Sequence, residues 1–419
     1  MSSTPFKDDR KRAYLNADGA DKPLISPVPG DVLDRARAYR LSRLRREMAK
    51  HDVAALLLYD PVNIRYAFDC SNMPVWTAHN PIRHALILAD GPAIMFEFAG
   101  CFHLSEGLPG IDEIRPSTAW FFMFSGDKAE GETAKWAAEI ADLVRLHGGN
   151  NRRIAGDRLD PPGHTALLAQ GCQISDGTEI TEAARSIKSP DEIELMRWTL
   201  RVCEAGMARI YEHSIPGVTE RELWAHLHFE NARSGGEWLE TKLLTCGPNT
   251  NPWYSECSDR PCKEGEMIAF DTDMIGPYGY CADLSRSWTC GYTAMTPAQA
   301  DIYRTARDQI EHNTGLLWPG LSFEEFNAKS WRIPDRFIDR RYSLAIHGVG
   351  MADEWPCVSL HPDFNERSAS GNFEAGMVVC VESLIGTEST ECVKLETQVL
   401  ITDSGIERLD TFPWERPLG

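Results

Sequence analysis

Phe270-Asp271-Thr272-Asp273-Met274-Ile275-Gly276 sets two carboxylates into an apolar run. The run reads as part of a strand from Met267 to Ile275, and residues two apart in a strand face the same side. Asp271 and Asp273 therefore point together, and like charges that close resist joint ionisation. A divalent cation resolves the conflict, because it keeps both carboxylates ionised. The turn Gly276-Pro277-Tyr278-Gly279 sends the chain back through a second strand, Tyr278 to Cys290, and a hairpin brings Asp283 opposite the first two. Further on, Ile346-His347-Gly348-Val349-Gly350 offers an imidazole in a flexible, glycine-flanked setting. Cys380-Val381-Glu382 and Lys394-Leu395-Glu396 each insert a carboxylate into an apolar strand. Any one of these alone reads as a surface pair, a core histidine or a paired glutamate. Together in one domain they read as a dinuclear, carboxylate-bridged metal site. Mixed Asp, Glu and His ligands suit Fe, Mn, Co or Zn, and one imidazole does not select among them.

The surrounding chain has 419 residues, 42% hydrophobic and 25% charged, which is the composition of a globular protein with enough length for two domains. Its net charge of −19 argues against a nucleic-acid or anionic-membrane partner, which would need a basic face. No apolar run reaches the about 18 residues of a bilayer span. The N-terminus lacks the apolar core of a signal peptide, so the cytoplasm is the expected location. Twelve cysteines without a CxxC pair read as reduced core thiols. P-loop, HExxH, GxSxG and GxGxxG patterns are all absent.

Residues 1–30 are polar and rich in proline near their end, and read as an arm. Leu33, Ala36, Leu41, Leu44 and Met48 then recur at helical spacing, with six arginines between Arg35 and Arg46 forming a solvated face. The runs Val53–Tyr59, Asn63–Phe68, His84–Ala89 and Ala93–Phe98 read as strands, followed by helices around Glu132–Leu146 and His164–Ala169. This alternation predicts an α/β domain over 31–184. Ser189-Pro190-Asp191-Glu192 is a capping box that opens a long helix, and Thr219/Glu222, Thr296/Gln299 and Ser322/Glu325 repeat the start signal. With the strands already named, 185–419 reads as an α+β domain.

These residues resemble the pita-bread superfamily of creatinase, prolidase, aminopeptidase P and methionine aminopeptidase. Asp60-Pro61-Val62-Asn63-Ile64-Arg65-Tyr66 is similar to a creatinase-type N-terminal segment, and Ile187-Lys188-Ser189-Pro190-Asp191-Glu192-Ile193 to the start of the catalytic domain. Gly279-Tyr280-Cys281-Ala282-Asp283, His347-Gly348-Val349-Gly350, Gly376 to Glu382 and Val393-Lys394-Leu395-Glu396 resemble the family's ligand-bearing motifs. The resemblance implies a creatinase-like two-domain protein, α/β in its N-terminal domain and pita-bread in its catalytic domain. It also implies a two-metal site drawn from Asp271 or Asp273 or both, Asp283, His347, Glu382 and Glu396.

The departures bear on function. Asp283 lies twelve residues after Asp271 and ten after Asp273, where the family spacing is eleven. Two histidines of the peptidases are replaced: Trp253 and Tyr254 stand where one is expected, and Asp353, in Asp353-Glu354-Trp355-Pro356, stands for the other. Peptide hydrolysis thereby loses donors for its oxyanion. The stretch Leu243 to Trp253 and the doubled aspartate resemble the metal-dependent dimethylsulfoniopropionate lyase branch of the fold. That resemblance implies β-elimination of a small sulfonium carboxylate to dimethyl sulfide and acrylate, on two divalent cations, iron first with Mn, Co and Zn as alternatives. Asp353 is the candidate base. Trp76, Trp253, Tyr254, Tyr342 and Trp355 are candidate aromatic walls for the sulfonium. A homodimer is expected, with Trp76 contributed from the N-terminal domain. The competing expectations are an Xaa-Pro metallopeptidase and a binding module without catalysis.

Overall fold

The computed structural model describes residues 22–414, which divide into two units, Gly30–Arg185 and 186–414, with 22–29 belonging to the second. Of the expected arm, 1–21 lie outside the described residues. The remainder is tied down: Leu24 N–H donates to Ser234 Oγ at 3.2 Å and the Tyr278 hydroxyl to Ser26 Oγ at 2.7 Å.

The first unit is built on six strands, Ala55–Leu58 (β1), His84–Leu88 (β2), Ala93–Glu97 (β3), Glu113–Pro116 (β4), Arg153–Gly156 (β5) and Gln173–Asp176 (β6), in the order β4-β3-β2-β1-β5-β6. The β1–β2 and β2–β3 pairs are antiparallel and the others parallel. Leu57, Leu86, Ile94, Phe96 and Ile154 face the helix Ala129–His147 through Trp136 and Ile140, which gives the unit its own apolar core.

Two expectations fail here. Asn63–Phe68 is not a strand but part of the helix Pro61–Phe68. Asp60 caps it by accepting from Val62 N–H, Pro61 fits its first position, and Asp69 ends it in the left-handed conformation. Those local terms outweigh a run too short to declare its period. Nor is the arginine-bearing face of the helix Gly30–Lys50 wholly solvated: Arg40 and Arg43 are buried. Asp69 is the reason for Arg40, because its carboxylate gathers Arg37 at 2.6 Å, Arg40 at 3.1 Å and Arg65. Arg43 donates to the carbonyls of Ala183 and Ala184.

The second unit opens with the helices Pro190–Glu212 and Glu220–Arg233, each started by a complete capping box, at Ser189/Glu192 and Thr219/Glu222. Pro297–Leu316 starts the same way, and Ser322 accepts from Glu325 N–H at the head of Phe323–Lys329. Its strands are Trp238–Leu239 (β7), Leu244–Cys246 (β8), Met267–Asp271 (β9), Met274–Ile275 (β10), Cys281–Ala282 (β11), Ser285–Thr289 (β12), Leu344–Val349 (β13), Asp353–Ser359 (β14), Val378–Ile385 (β15), Val393–Thr402 (β16) and Gly405–Arg408 (β17). They form the sheets β11-β10-β7, β12-β9-β8 and β14-β13-β15-β16-β17. Met267, Tyr303, Ile310, Phe326, Ile346, Val379, Val381, Leu395 and Val399 form one core between sheet and helices.

Two further expectations are corrected. The strand Met267–Ile275 breaks after Asp271, where Asp273 takes a φ of +35°. His347 is not in a flexible loop: it lies in the interior strand β13, between β14 and β15, and is buried. Its flanking glycines serve close packing instead of mobility. A Cβ on Gly348 would stand 2.2 Å from the Trp355 carbonyl oxygen, and one on Gly350 would stand 2.6 Å from the Glu354 carboxylate.

A carboxylate and imidazole cluster

Strand register assembles the cluster. Glu382 on β15 lies directly opposite Glu396 on β16, His347 on β13 opposite Cys380 on β15, and Asp271 on β9 opposite Ser285 on β12. Two glutamates facing each other across a ladder repel, so this register needs positive charge between them. Asp273 joins them through the break in its strand, not through alternation. Thr272 stabilises that break: its hydroxyl donates to Ala282 O at 2.8 Å and accepts from Leu284 N–H at 2.9 Å, which brings Asp283 back beside Asp271.

The ligand atoms form two groups that share Asp283. In one, Asp271, Asp273 and Asp283 lie within 4.8 Å of one another; in the other, Asp283, His347, Cys380 and Glu396 do. His347 Nε2 lies 3.1 Å from Glu382 Oε1, 3.4 Å from Asp283 Oδ2 and 3.5 Å from Glu396 Oε1. All six expected metal ligands thus meet in one buried cluster.

Four participants have no counterpart in the sequence reading. Lys394 Nζ lies 2.8 Å from Asp271 Oδ2, 2.5 Å from Glu382 Oε2 and 3.2 Å from Glu396 Oε2. Ser285 Oγ accepts from Lys394 at 2.8 Å and lies 2.7 Å from Asp271 Oδ1 and 2.9 Å from Glu396 Oε2, so these two carboxylates share its one proton. The Thr241 hydroxyl donates to Asp273 Oδ2. The Cys380 thiol donates to the Asp283 backbone carbonyl at 3.7 Å. Strand alternation carried a signal for Lys394, two residues before Glu396 and therefore on its face. Ser285 and Thr241 are ordinary residue types that only the register brings in.

The charges are not balanced by the chain. Burial, reinforced by Asp271, pushes Asp273 well above the usual carboxylate range; burial and Glu396 do the same to Asp283. Burial also raises Asp271, against the pull of Lys394. Glu396 is raised by burial and by Glu382, but Lys394 and His347 outweigh them and leave it low. For His347, burial opposes protonation, and the Glu382 carboxylate bonded to its Nε2, with Glu396 close by, overcomes it. Asp283 Oδ1 and Glu396 Oε1 are buried with no hydrogen-bond partner. Buried, unpartnered carboxylate oxygens beside an imidazole nitrogen are what divalent cations satisfy. The residues fit two such ions, with Asp271, Asp273 and Asp283 offering one set of donors and Asp283, His347, Glu382 and Glu396 the other.

Asp353 begins β14 and sits at the rim. Its Oδ1 is 3.7 Å from His347 Nδ1, and its side chain is 54% exposed. Burial raises its pKa against the opposite pull of His347. Lys394 Nζ lies 5.8 Å from the Trp253 ring centre and 5.2 Å from that of Tyr342, and Tyr342 lies 5.8 Å from Tyr254. Trp253, Tyr254 and Tyr342 thus gather beside the cluster. Trp355 packs against Phe323 at 5.6 Å and onto the core. Trp76 belongs to the first unit, where it meets Phe98 at 5.9 Å and Phe124 at 6.5 Å.

Residues 194–403 match the metallopeptidase family M24 model. A protein of Roseovarius nubinhibens named dimethylsulfoniopropionate lyase DddP is 40% identical over 392 residues, which is 92% of this chain and 88% of that one. Its namesake in Roseobacter denitrificans is 41% identical, over 91% of this chain and 87% of that one. Among solved structures, an Xaa-Pro dipeptidase from Bacillus anthracis superposes with a TM-score of 0.71 at 19% identity, covering 90% of this chain and 99% of that one. A prolidase from Pyrococcus furiosus gives 0.68 at 19%, covering 88% and 99%. The two-domain, pita-bread architecture is therefore shared with prolidases. The chain belongs to metallopeptidase family M24, on a branch with the proteins named dimethylsulfoniopropionate lyase DddP.

Proposed function

We propose that this protein is a metal-dependent dimethylsulfoniopropionate lyase that cleaves its substrate by β-elimination. The observation that carries the reading is Asp353, a half-exposed carboxylate at the rim, 3.7 Å from His347 Nδ1. A proton acceptor there suits abstraction from carbon and does not suit donation to a peptide oxyanion. The names and identity of the two lyase relatives support it.

When bound, the two cations supply Lewis acidity to the substrate carboxylate, whose own α-proton is only weakly acidic. Asp353 takes the proton from the carbon beside that carboxylate. The C–H electrons become the new carbon–carbon double bond, the C–S bond breaks, and its pair leaves with dimethyl sulfide, giving acrylate. The exposed edge of Asp353 lets the proton pass to water. Trp253, Tyr254 and Tyr342 offer aromatic faces to the sulfonium, worth about 0.5–2 kcal/mol each. Trp76 adds to the wall in this reading, from the partner in a cytoplasmic homodimer, whereas Trp355, packed on Phe323 and the core, does not. In this reading the ions are iron, with Mn, Co or Zn as alternatives that the same donor set suits.

Purified protein loaded with iron or manganese is expected to release dimethyl sulfide into the headspace over the sulfonium acid, with acrylate in equal amount. Turnover of an Xaa-Pro dipeptide with no dimethyl sulfide would overturn the reading in favour of a peptidase. Elemental analysis and light scattering test the metal and the dimer.

A further inference from the structure

Lys188 and Glu354 form an ion pair that the chemistry above does not use. Their side chains are 2% and 0% exposed, and Lys188 Nζ meets Glu354 Oε1. Lys188 precedes the N-cap of the helix Pro190–Glu212, and its own N–H donates to Gly376 O at 2.9 Å, just before β15. Its backbone is thus fixed beside the strand that carries Glu382, while its side chain reaches β14. Glu354 is the residue after Asp353. The alternation of β14 buries Glu354 and leaves Asp353 exposed toward His347. Gly350 makes room for the pair, since a Cβ there would meet both Glu354 carboxylate oxygens at 2.6 Å.

We propose that Lys188 is a positioning residue: through Glu354 it clamps the start of β14 and so fixes the Asp353 carboxylate relative to His347. The pairing of β14 with β13 is irregular at this point, with a register shift between His347 and Gly348. A bulged ladder specifies side-chain direction weakly by itself. A buried pair anchored at its other end to the rigid helix start supplies the missing constraint. The catalytic consequence rests on the lyase reading; the structural one does not.

The test uses the full chain with Lys188→Met, Lys188→Arg and the apolar pair Lys188→Met/Glu354→Met. The double variant removes both charges of the pair together, so it is expected to keep its fold even if Lys188→Met does not. Amide hydrogen exchange across 349–358 is expected to speed up about tenfold or more in the double variant, with the rest of the sheet unchanged, and to be restored in part by Lys188→Arg. In dimethyl sulfide assays kcat is expected to fall about 10- to 100-fold with KM and metal content nearly unchanged, as misplacement of a reacting group requires. Unchanged exchange and unchanged kcat in a folded double variant would overturn the proposal. If the wild type releases no dimethyl sulfide, the lyase reading fails and the exchange measurement alone decides the clamp.

Discussion

A base that takes a proton from carbon needs an accessible oxygen, and the proposed elimination assigns that role to Asp353, a rim carboxylate 3.7 Å from His347 Nδ1. Asp353→Asn keeps the shape and removes the basicity. Turnover is expected to fall about 10²–10⁴-fold while two metals per chain remain, checked by initial rates and elemental analysis on the same sample. Asp273 behaves differently. It offers a ligand atom among Asp271 and Asp283 and is oriented by Thr241, so Asp273→Asn is expected to lower metal content as well as rate, read by calorimetric titration with Mn2+. The acidic residues were legible because each breaks an apolar run. Lys394 carried only a weak signal, its place on the face of Glu396, and Ser285 carried none, because only the register of β9 with β12 sets it beside Asp271.

At the scale of elements, capping chemistry was the most legible feature: the boxes at Ser189, Thr219 and Thr296 start helices where a hydroxyl and an acid or amide stand three apart. What escaped were segments governed by their flanking residues instead of by their own apolar pattern. Asn63–Phe68 is helical because of the Asp60 cap and the Asp69 terminus. The glycines around His347 suggested mobility in isolation and prove to be demanded by close strand approach. A methyl on Gly348 would meet the Trp355 carbonyl oxygen at 2.2 Å, and a ladder atom cannot swing aside as a flexible side chain can. Gly348→Ala is therefore expected to destabilise the protein by about 2 kcal/mol or more, seen as a lower urea midpoint, and to displace His347 with it. An unchanged midpoint would mean that the two strands can separate without loss.

For the whole molecule, the two units respond to different solution variables. The cluster couples the second unit to metal: ions that bind only the folded form add about 2.7 kcal/mol at a free concentration one hundred times the dissociation constant. Chelation is expected to lower the melting temperature accordingly, with recovery on adding Mn2+ or Fe2+, measured by scanning calorimetry. The first unit answers to acid through His84. Its ring lies between Tyr59 and Phe96, with centres 4.8 and 4.2 Å away. Nδ1 faces Ile82 O at 3.2 Å and Nε2 is buried without a hydrogen-bond partner. A proton on Nε2 would have no acceptor, and burial lowers the pKa from 6.5 to about 3. The folded form therefore stays neutral where the unfolded chain takes a proton. His84's contribution is full above pH 6.5 and is lost as pH falls from 6.5 toward 3, by about 1.4 kcal/mol per pH unit. Other groups titrate in the same window, so the quantity to measure is a difference. Unfolding free energies of wild type and His84→Phe, taken by denaturant between pH 7 and 4.5, should diverge with that slope, the variant gaining on the wild type as acid is added. Parallel curves would mean that the buried imidazole finds an acceptor for its second proton in the folded protein.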